Sequence, residues 1–258
     1  MIDWDIVQGE IITVISDIHS NKIALKTALE EIKQSNQIII LGDILTYGVD
    51  VVEVTDMIDE LIIKGAWLLI GNHDQMYMDL IQNGRCEILN MLRPEIQESV
   101  KYTIDKLDTK KFMSWNWKKE IVYNDILFSH ANPYGNFWEY VKSEEDFRKA
   151  AKTIQKLGHL AGVFGHTHRS NIYSLTNKYL PETNGISNDV FVINPGSVGQ
   201  PRNGLFRSSI LRLSSHKKKL WAEIKPIQYD EKEHIKSIML SSLSDQSKMK
   251  LSMFFKGE

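Results

Sequence analysis

The chain has 258 residues, 42% of them hydrophobic and 25% charged, an ordinary globular composition with enough length for a buried core. A formal net charge of −2 excludes bulk attraction to nucleic acid or to an anionic membrane. The single cysteine, Cys86, excludes an intrachain disulfide framework and fits a reducing, cytoplasmic setting. The opening MIDWDIVQGE lacks the basic start and apolar run of a secretory signal, and no apolar run approaches the roughly 18 residues of a membrane span.

EIITVIS (10–16) reads as a buried strand, and 21–35 as a helix with apolar residues at 23, 25, 28, 29 and 32. QIIIL (37–41) is a second strand, 49–65 a helix ending at Gly65, and AWLLI (66–70) a third strand. This β-α-β-α-β order implies a mostly parallel sheet with helices packed on it. Residues 75–117 are polar and helical, with Pro94 opening one helix and Asp108 capping another at 109–114. They read as an insertion over one end of the sheet. Strands follow at 120–123 and 125–129 around a tight turn, then a helix at 143–157. Further strands are expected at 161–164, 171–175, 189–193, 206–213 and 219–227, with HKKK (216–219) as a hairpin tip and a last helix at 230–243. The chain reads as one domain, 1–258, with the insertion at about 75–117 and a C-terminal strand and helix extension at about 219–258.

Polar residues stand at the end of each of these apolar strands. The first strand leads into Asp17-Ile18-His19, the second into Gly42-Asp43, and the third into Gly71-Asn72-His73-Asp74. The strand at 125–129 leads into His130, and that at 161–164 into Gly165-His166-Thr167-His168. Residues i and i+2 of an extended chain point the same way, so His166 and His168 could face one point. D-x-H or G-D alone is common in loops, and a pair of histidines can simply face solvent. Five such stretches, each at a strand's C-terminal end where open α/β sheets bind ligands, are hard to make by accident.

Asp17, His19, Asp43, Asn72, His130, His166 and His168 form an oxygen and nitrogen donor set without sulfur, suited to iron, manganese, zinc or nickel. Seven donors are too many for one open catalytic ion and suit two, with Asp43 as the bridge. Two ions about 3.5–4 Å apart can share a hydroxide and clamp a phosphoryl oxygen during in-line displacement. His73 is then free to protonate a leaving alkoxide, with Asp74 holding its ring. His159, His216 and His234 read as surface or packing residues.

SDIHSN, LGD, GNHD, SH (129–130) and GHTH together resemble the calcineurin-like metallophosphoesterases, over roughly residues 10 to 230. The resemblance implies an α/β, four-layer α-β-β-α sandwich of two mixed sheets with a dinuclear centre at the strand ends. Carried over by position, it places Asp17, His19, Asp43 and His168 on one metal, and Asp43, Asn72, His130 and His166 on the other. His73 matches the catalytic histidine. GDILTYGVDVVEV (42–54) and NPGSVGQPRNG (194–204) are similar to a bacterial and archaeal branch of small members. There Tyr47 lines the site or packs, Arg202 reaches a substrate phosphate or pairs with a surface acid, and Pro195, Gly196 and Gly199 shape the loop. Ala131 departs from the glycine that often follows the histidine matching His130. The segment NPYGNFWEY (132–140) is unusually aromatic: Trp138 and Tyr140 are expected to pack, and Tyr134 and Phe137 to be exposed, with Tyr134 a candidate for contact with substrate.

These readings converge on a hydrolase of phosphomono- or phosphodiesters, using two divalent or trivalent ions. Its expected partner is a small phosphorylated substrate, which the branch resemblance tilts towards a nucleotide or dinucleoside polyphosphate. A phosphoprotein phosphatase, a nuclease and a catalytically silent scaffold are the alternatives. A broad nucleic-acid groove would need clustered basic residues, and scaffold relatives typically lose the histidine present here as His73.

Overall fold

A computed structural model of the chain describes residues 2, 7, 9–32, 35–181, 183–185, 189–202, 207–217 and 219–255. Its strands are β1 Ile12–Ile15, β2 Gln37–Ile40, β3 Trp67–Leu68, β4 Glu120–Tyr123, β5 Ile126–Ser129, β6 Ala161–Phe164, β7 Asn171–Ser174, β8 Lys178–Leu180, β9 Thr183–Gly185, β10 Phe191–Asn194, β11 Ser208–His216 and β12 Lys219–Ile227. Its helices are α1 Lys22–Glu31, α2 Val51–Ile63, α3 Asn72–Asn83, α4 Pro94–Lys106, α5 Thr109–Ser114, α6 Glu144–Lys156, α7 Glu231–Leu240 and α8 Asp245–Ser252.

Two six-stranded sheets form, in the orders β3-β2-β1-β11-β12-β9 and β4-β5-β6-β10-β7-β8. In the first, β1, β2 and β3 are parallel and the remaining pairs antiparallel. In the second, β5, β6 and β10 are parallel, and β4, β7 and β8 run against their neighbours. Ile12, Val14 and Ile39 pack across onto Phe128, Val163 and Ile193, so one core lies between the sheets. The alternate residues Ile15 and Ile40 turn the other way, onto Leu25 of α1 and Val54 and Ile58 of α2. Phe164, Tyr173 and Val192 cover the outer face of the second sheet with Phe147, Ala150 and Ile154 of α6. The result is the α-β-β-α sandwich of two mixed sheets.

The 75–117 region is helical: α3, a 3-10 turn at Glu87–Met91, α4 and α5. Pro94 stands in the first turn of α4, and Asp108 caps α5 by accepting from Lys111 N at 3.0 Å. The insertion touches the loop after β2, where Tyr77 Oη meets Thr46 Oγ1 at 2.8 Å and Ser99 Oγ accepts from Tyr47 N at 3.0 Å.

Several elements differ from expectation. β3 shrinks to two residues, because the chain beyond it pairs with Lys118 as a single parallel bridge. The expected strand at 206–213 extends to His216, and its first residue, Phe206, lies outside the described residues, as do Lys218 of the hairpin tip and Asn203 and Gly204 of the 194–204 stretch. The last helix divides, ending at Leu240 and restarting as α8, whose cap Ser244 accepts from Ser247 N at 3.3 Å.

α7 and α8 pack through Ile238, Leu251 and Phe255 onto Tyr47, Val49 and Ile96. Beneath them His234, fully buried, lies 3.4 Å from Asp50 Oδ2, and Lys22 Nζ lies 3.4 Å from Asp50 Oδ1. Burial alone would raise the Asp50 pKa, but His234 and Lys22 hold it below the ordinary value. A depressed carboxyl stabilises the fold above its unfolded value of about 4, and that contribution is lost as pH falls through the folded value. Asp50→Asn is therefore expected to cost about 1–3 kcal/mol at pH 7 in urea titrations, with the gap to wild type closing below about pH 4. A gap equal at both pH values would assign the effect to packing instead of charge.

Candidate metal centre

The parallel strands β1, β2 and β3 of one sheet, and β5 and β6 of the other, all end at the same edge of the sandwich. There the backbone turns sharply: Asp17, His19, Ser20, Asp43, Tyr47, His166 and His168 have φ between 50° and 65°. Left-handed φ at non-glycine residues costs about 1–3 kcal/mol each and persists only where the surroundings over-determine it. Here the loops brace one another through backbone bonds. Ile18 N donates to Asp43 O at 2.9 Å, Ser20 N to Ile44 O at 2.8 Å, Gly199 N to Asp17 O at 3.0 Å and Gly165 N to His130 O at 2.7 Å. Two glycines are required by this closeness: a Cβ on Gly199 would lie 1.7 Å from Ile18 O, and one on Gly71 would lie 2.1 Å from Asp43 Oδ1.

The seven predicted donor residues and His73 are all buried and all converge. One group contains Asp17, His19, Asp43 and His168; a second contains Asp43, His130 and His166, with the ligating atoms of each group within 4.8 Å of one another. Asn72 joins the second, its Oδ1 3.0 Å from His130 Nε2. Three imidazoles are oriented from behind. Nδ1 of His19, His130 and His168 lies 2.9, 3.0 and 2.6 Å from the carbonyls of Leu45, Leu41 and Gln200. A carbonyl can only accept, so each Nδ1 carries the proton and each Nε2 turns inward.

This arrangement fits divalent metal ions. His19 Nε2 and His168 Nε2 face each other at 3.3 Å, and with each Nδ1 turned to a backbone carbonyl both Nε2 atoms are directed at one point. Asp17 Oδ1 and His166 Nε2 are buried without a hydrogen-bond partner. Burial opposes the ionised forms of Asp17 and Asp43, yet their histidine neighbours, His168 and His130 foremost, hold both well below the ordinary carboxylate range. His130 is itself opposed by burial but raised to about 9 by the Asp43 carboxylate, whereas burial lowers His166 to about 3. Two buried carboxylates ringed by imidazoles thus call for positive charge at their centre.

His73 sits in the first turn of α3, its backbone N–H donating to Asp43 Oδ1 at 2.9 Å. Its Nδ1 has no partner and its Nε2 is 3.4 Å from Tyr47 Oη. The expectation that Asp74 holds this ring is corrected. Asp74 instead accepts from the backbone N–H groups of Gly71, Asp43 and Ile44 at 2.9, 2.6 and 3.1 Å, locking α3 to the end of β2. Burial and the Asp43 charge push its pKa to about 7.

Tyr47 both packs and lines the cluster, its ring 4.6 Å from that of His19 and 5.4 Å from that of Phe254. Among the described residues Arg202 pairs with no acid; its Nε donates to Gln200 Oε1 at 2.9 Å, and its guanidinium carbon lies 6.0 Å from the Tyr47 ring centre. The expectation for the aromatic segment is reversed. Tyr134 packs on the α6 side of the second sheet under Lys149, away from the cluster, while Trp138 and Tyr140 are 37% and 41% exposed at its mouth. Sequence reasoning also missed Asn194 and Ser197. Asn194 Nδ2 donates to Gly165 O at 2.7 Å, and Ser197 Oγ donates to Asp17 O at 2.7 Å. Both lie in the 194–204 stretch, where only Arg202 and the turn residues Pro195, Gly196 and Gly199 drew a reading.

Because Gly71 abuts the Asp43 carboxylate, Gly71→Ala must displace it. Calorimetric titration with manganese is expected to show affinity weakened about tenfold or more; unchanged affinity in a folded variant would mean that Asp43 is not a metal contact.

Residues 11–217 match the calcineurin-like phosphoesterase superfamily domain. An uncharacterized protein of Methanocaldococcus jannaschii is 31% identical over 246 residues, covering 91% of this chain and 94% of that protein. A metallophosphoesterase from Sphaerobacter thermophilus superposes with a TM-score of 0.74 at 23% identity, covering 95% of this chain and 99% of that one. A hypothetical protein from Pyrococcus horikoshii gives 0.74 at 17% identity, over 93% and 97% of the two chains. The matched region contains every residue of the buried cluster, and the chain belongs to the calcineurin-like phosphoesterase superfamily.

Proposed function

We propose that this protein is a dinuclear metal-dependent hydrolase of phosphomono- or phosphodiesters in a small, nucleotide-like substrate. The observation that carries this reading is the shared carboxylate, since Asp43 belongs to both donor groups. Asp17, His19, Asp43 and His168 would hold one ion, and Asp43, Asn72, His130 and His166 the other. The mixed oxygen and nitrogen set suits manganese, iron, zinc or nickel. When bound, such a pair supplies Lewis acidity, which activates water near neutral pH and offsets charge on phosphoryl oxygens.

The chain's own side chains do the rest. His73 stands beside the shared carboxylate without being needed in either donor group. Burial lowers its pKa while the adjacent Asp43 carboxylate opposes that and favours the protonated ring, and its role is to protonate the departing oxygen. The Tyr47 hydroxyl orients its ring, and the Arg202 guanidinium behind Tyr47 offers a fork of donors to phosphate oxygens. Among the described residues, no helix is long and apolar enough to cross a membrane.

The test is hydrolysis of nitrophenyl phosphate and its bis ester by metal-stripped protein, with manganese, iron(II), zinc, nickel and magnesium restored in turn. Activity is expected only after a transition metal returns. His73→Ala is expected to lower kcat by about 10²–10⁴ with both ions retained, and Asp43→Asn to lose both. Loss of metal on His73→Ala would refute its role as a proton donor, and two full-occupancy ions in Asp43→Asn would refute the bridge.

A further inference from the structure

Trp138 has no place in the chemistry described above, yet its ring, 37% exposed, stands beside His73 at the mouth of the buried cluster. The loop is built around Asn132. Its Oδ1 accepts from Tyr134 N at 2.9 Å and Asn136 N at 3.4 Å, and its Nδ2 donates to the carbonyls of Asn136 and Glu139 at 2.5 and 2.9 Å. Ser129 Oγ closes the base of the loop by donating to Asn132 O at 2.7 Å. The two exposed rings on this frame have different positions. Tyr140 lies flat against His166, with centroids 4.0 Å apart and planes 13° apart. Among the described residues, the one ring contact of Trp138 is a tilted one with His73, at 6.5 Å and 53°, so indole surface remains uncovered beside the proposed proton donor.

We propose that Trp138 is a specificity-determining residue on which the leaving group stacks, making the site selective for phosphoesters whose departing alcohol carries a planar aromatic group such as a nucleoside. This rests on the reading of His73 as the proton donor. Water forms the new bond to phosphorus and releases a proton to solvent, the P–O bond to the alcohol breaks opposite it, and the electron pair leaves on the alcohol oxygen, which takes its proton from His73; solvent then restores the proton on His73. The rest of the alcohol must then lie beyond His73, on the Trp138 side. A flat, aromatic base offers the indole a π-face, and such stacking changes affinity by about five- to a hundredfold per base on alanine substitution. The loop is already held in place by Asn132, so little further ordering opposes the stack.

The test compares adenosine 5′-monophosphate with ribose 5-phosphate, which share the scissile phosphate and its primary alcohol and differ only in the base. With the manganese-loaded protein, wild type is expected to favour the nucleotide in kcat/KM. Trp138→Ala is expected to lose about five- to a hundredfold on the nucleotide while ribose 5-phosphate changes less than about twofold, and Trp138→Phe to recover most of the loss. An equal fall on both esters, or no change on either, overturns the proposal. Calorimetric binding of the same two compounds to His73→Ala protein, with and without Trp138→Ala, separates the platform from catalysis. If wild type cleaves no ester the hydrolase reading fails, while nucleotide affinity that drops with Trp138 still supports the platform and affinity that does not drop overturns it.

Discussion

The Asp43 carboxylate lies where the two sheets meet, and it is fixed from every side. Its own backbone N–H donates to Asp74, and its carbonyl accepts from Ile18 and His19. Oδ1 accepts from the first turn of α3, and Oδ2 faces His130 of the second sheet at 3.4 Å. One residue thus ties the loop after β1, the loop after β2, the start of α3 and the end of β5. Gly71 has no side chain because the carboxylate fills that space, and Asp74 is buried because the amides around Asp43 need an acceptor. Much of the local sequence is dictated by placing one charge in this position.

Such a site works against stability. It concentrates left-handed backbone and buried charge at one edge. The interlocking of the loops and the apolar core between the sheets just beneath offset these costs. The strain is also useful. An extended chain would carry alternate side chains straight past the edge, whereas the left-handed turns at Asp17, Asp43, His166 and His168 bring carboxylates and imidazoles from three loops together. The histidines that donate Nδ1–H to carbonyls cannot rotate away without abandoning a buried acceptor, so the cluster is pre-organised before any ion arrives.

The parallel strand ends and the convergence of the seven candidate donors were legible in the sequence because each signal is local: an apolar run, in most cases a glycine, then a polar side chain. The features that were not legible depend on partners distant in the chain. Asp74 next to His73 suggests an Asp–His pair, but three amides from two loops compete for that carboxylate and win. Trp138 and Tyr134 are indistinguishable by composition, and only the Asn132-centred loop decides which of them faces α6 and which faces the cluster. β8 and β9 are three residues each, too short for periodicity to register. α8 lies beyond the helix expected at 230–243, in a short polar segment with a weak apolar stripe. The role of Ser197 and Gln200 is carried partly by backbone atoms, on which sequence is silent.

The chemical floor and the walls of the site come from different kinds of element. The floor belongs to the ends of the parallel strands, which cannot move without unmaking both sheets. The walls do not: one is the loop 132–140, and another is the C-terminal segment beyond α8. There the Phe254 ring meets that of Tyr47 at 5.4 Å, the Arg93 guanidinium carbon lies 4.9 Å from its centre, and the Phe254 carbonyl accepts from Gln200 Nε2 at 3.4 Å. Gln200 also orients His168 through its own carbonyl, so it joins the C-terminal wall to the floor, as Tyr47 does through its contacts with Phe254 and His19. On the proposed phosphoesterase reading, substitutions in either wall change which alcohol or phosphate substituent fits while leaving the Asp43 network intact. Selectivity and chemistry are therefore separable in this chain, with Tyr47, touching both His73 and Phe254, as the side chain where they meet.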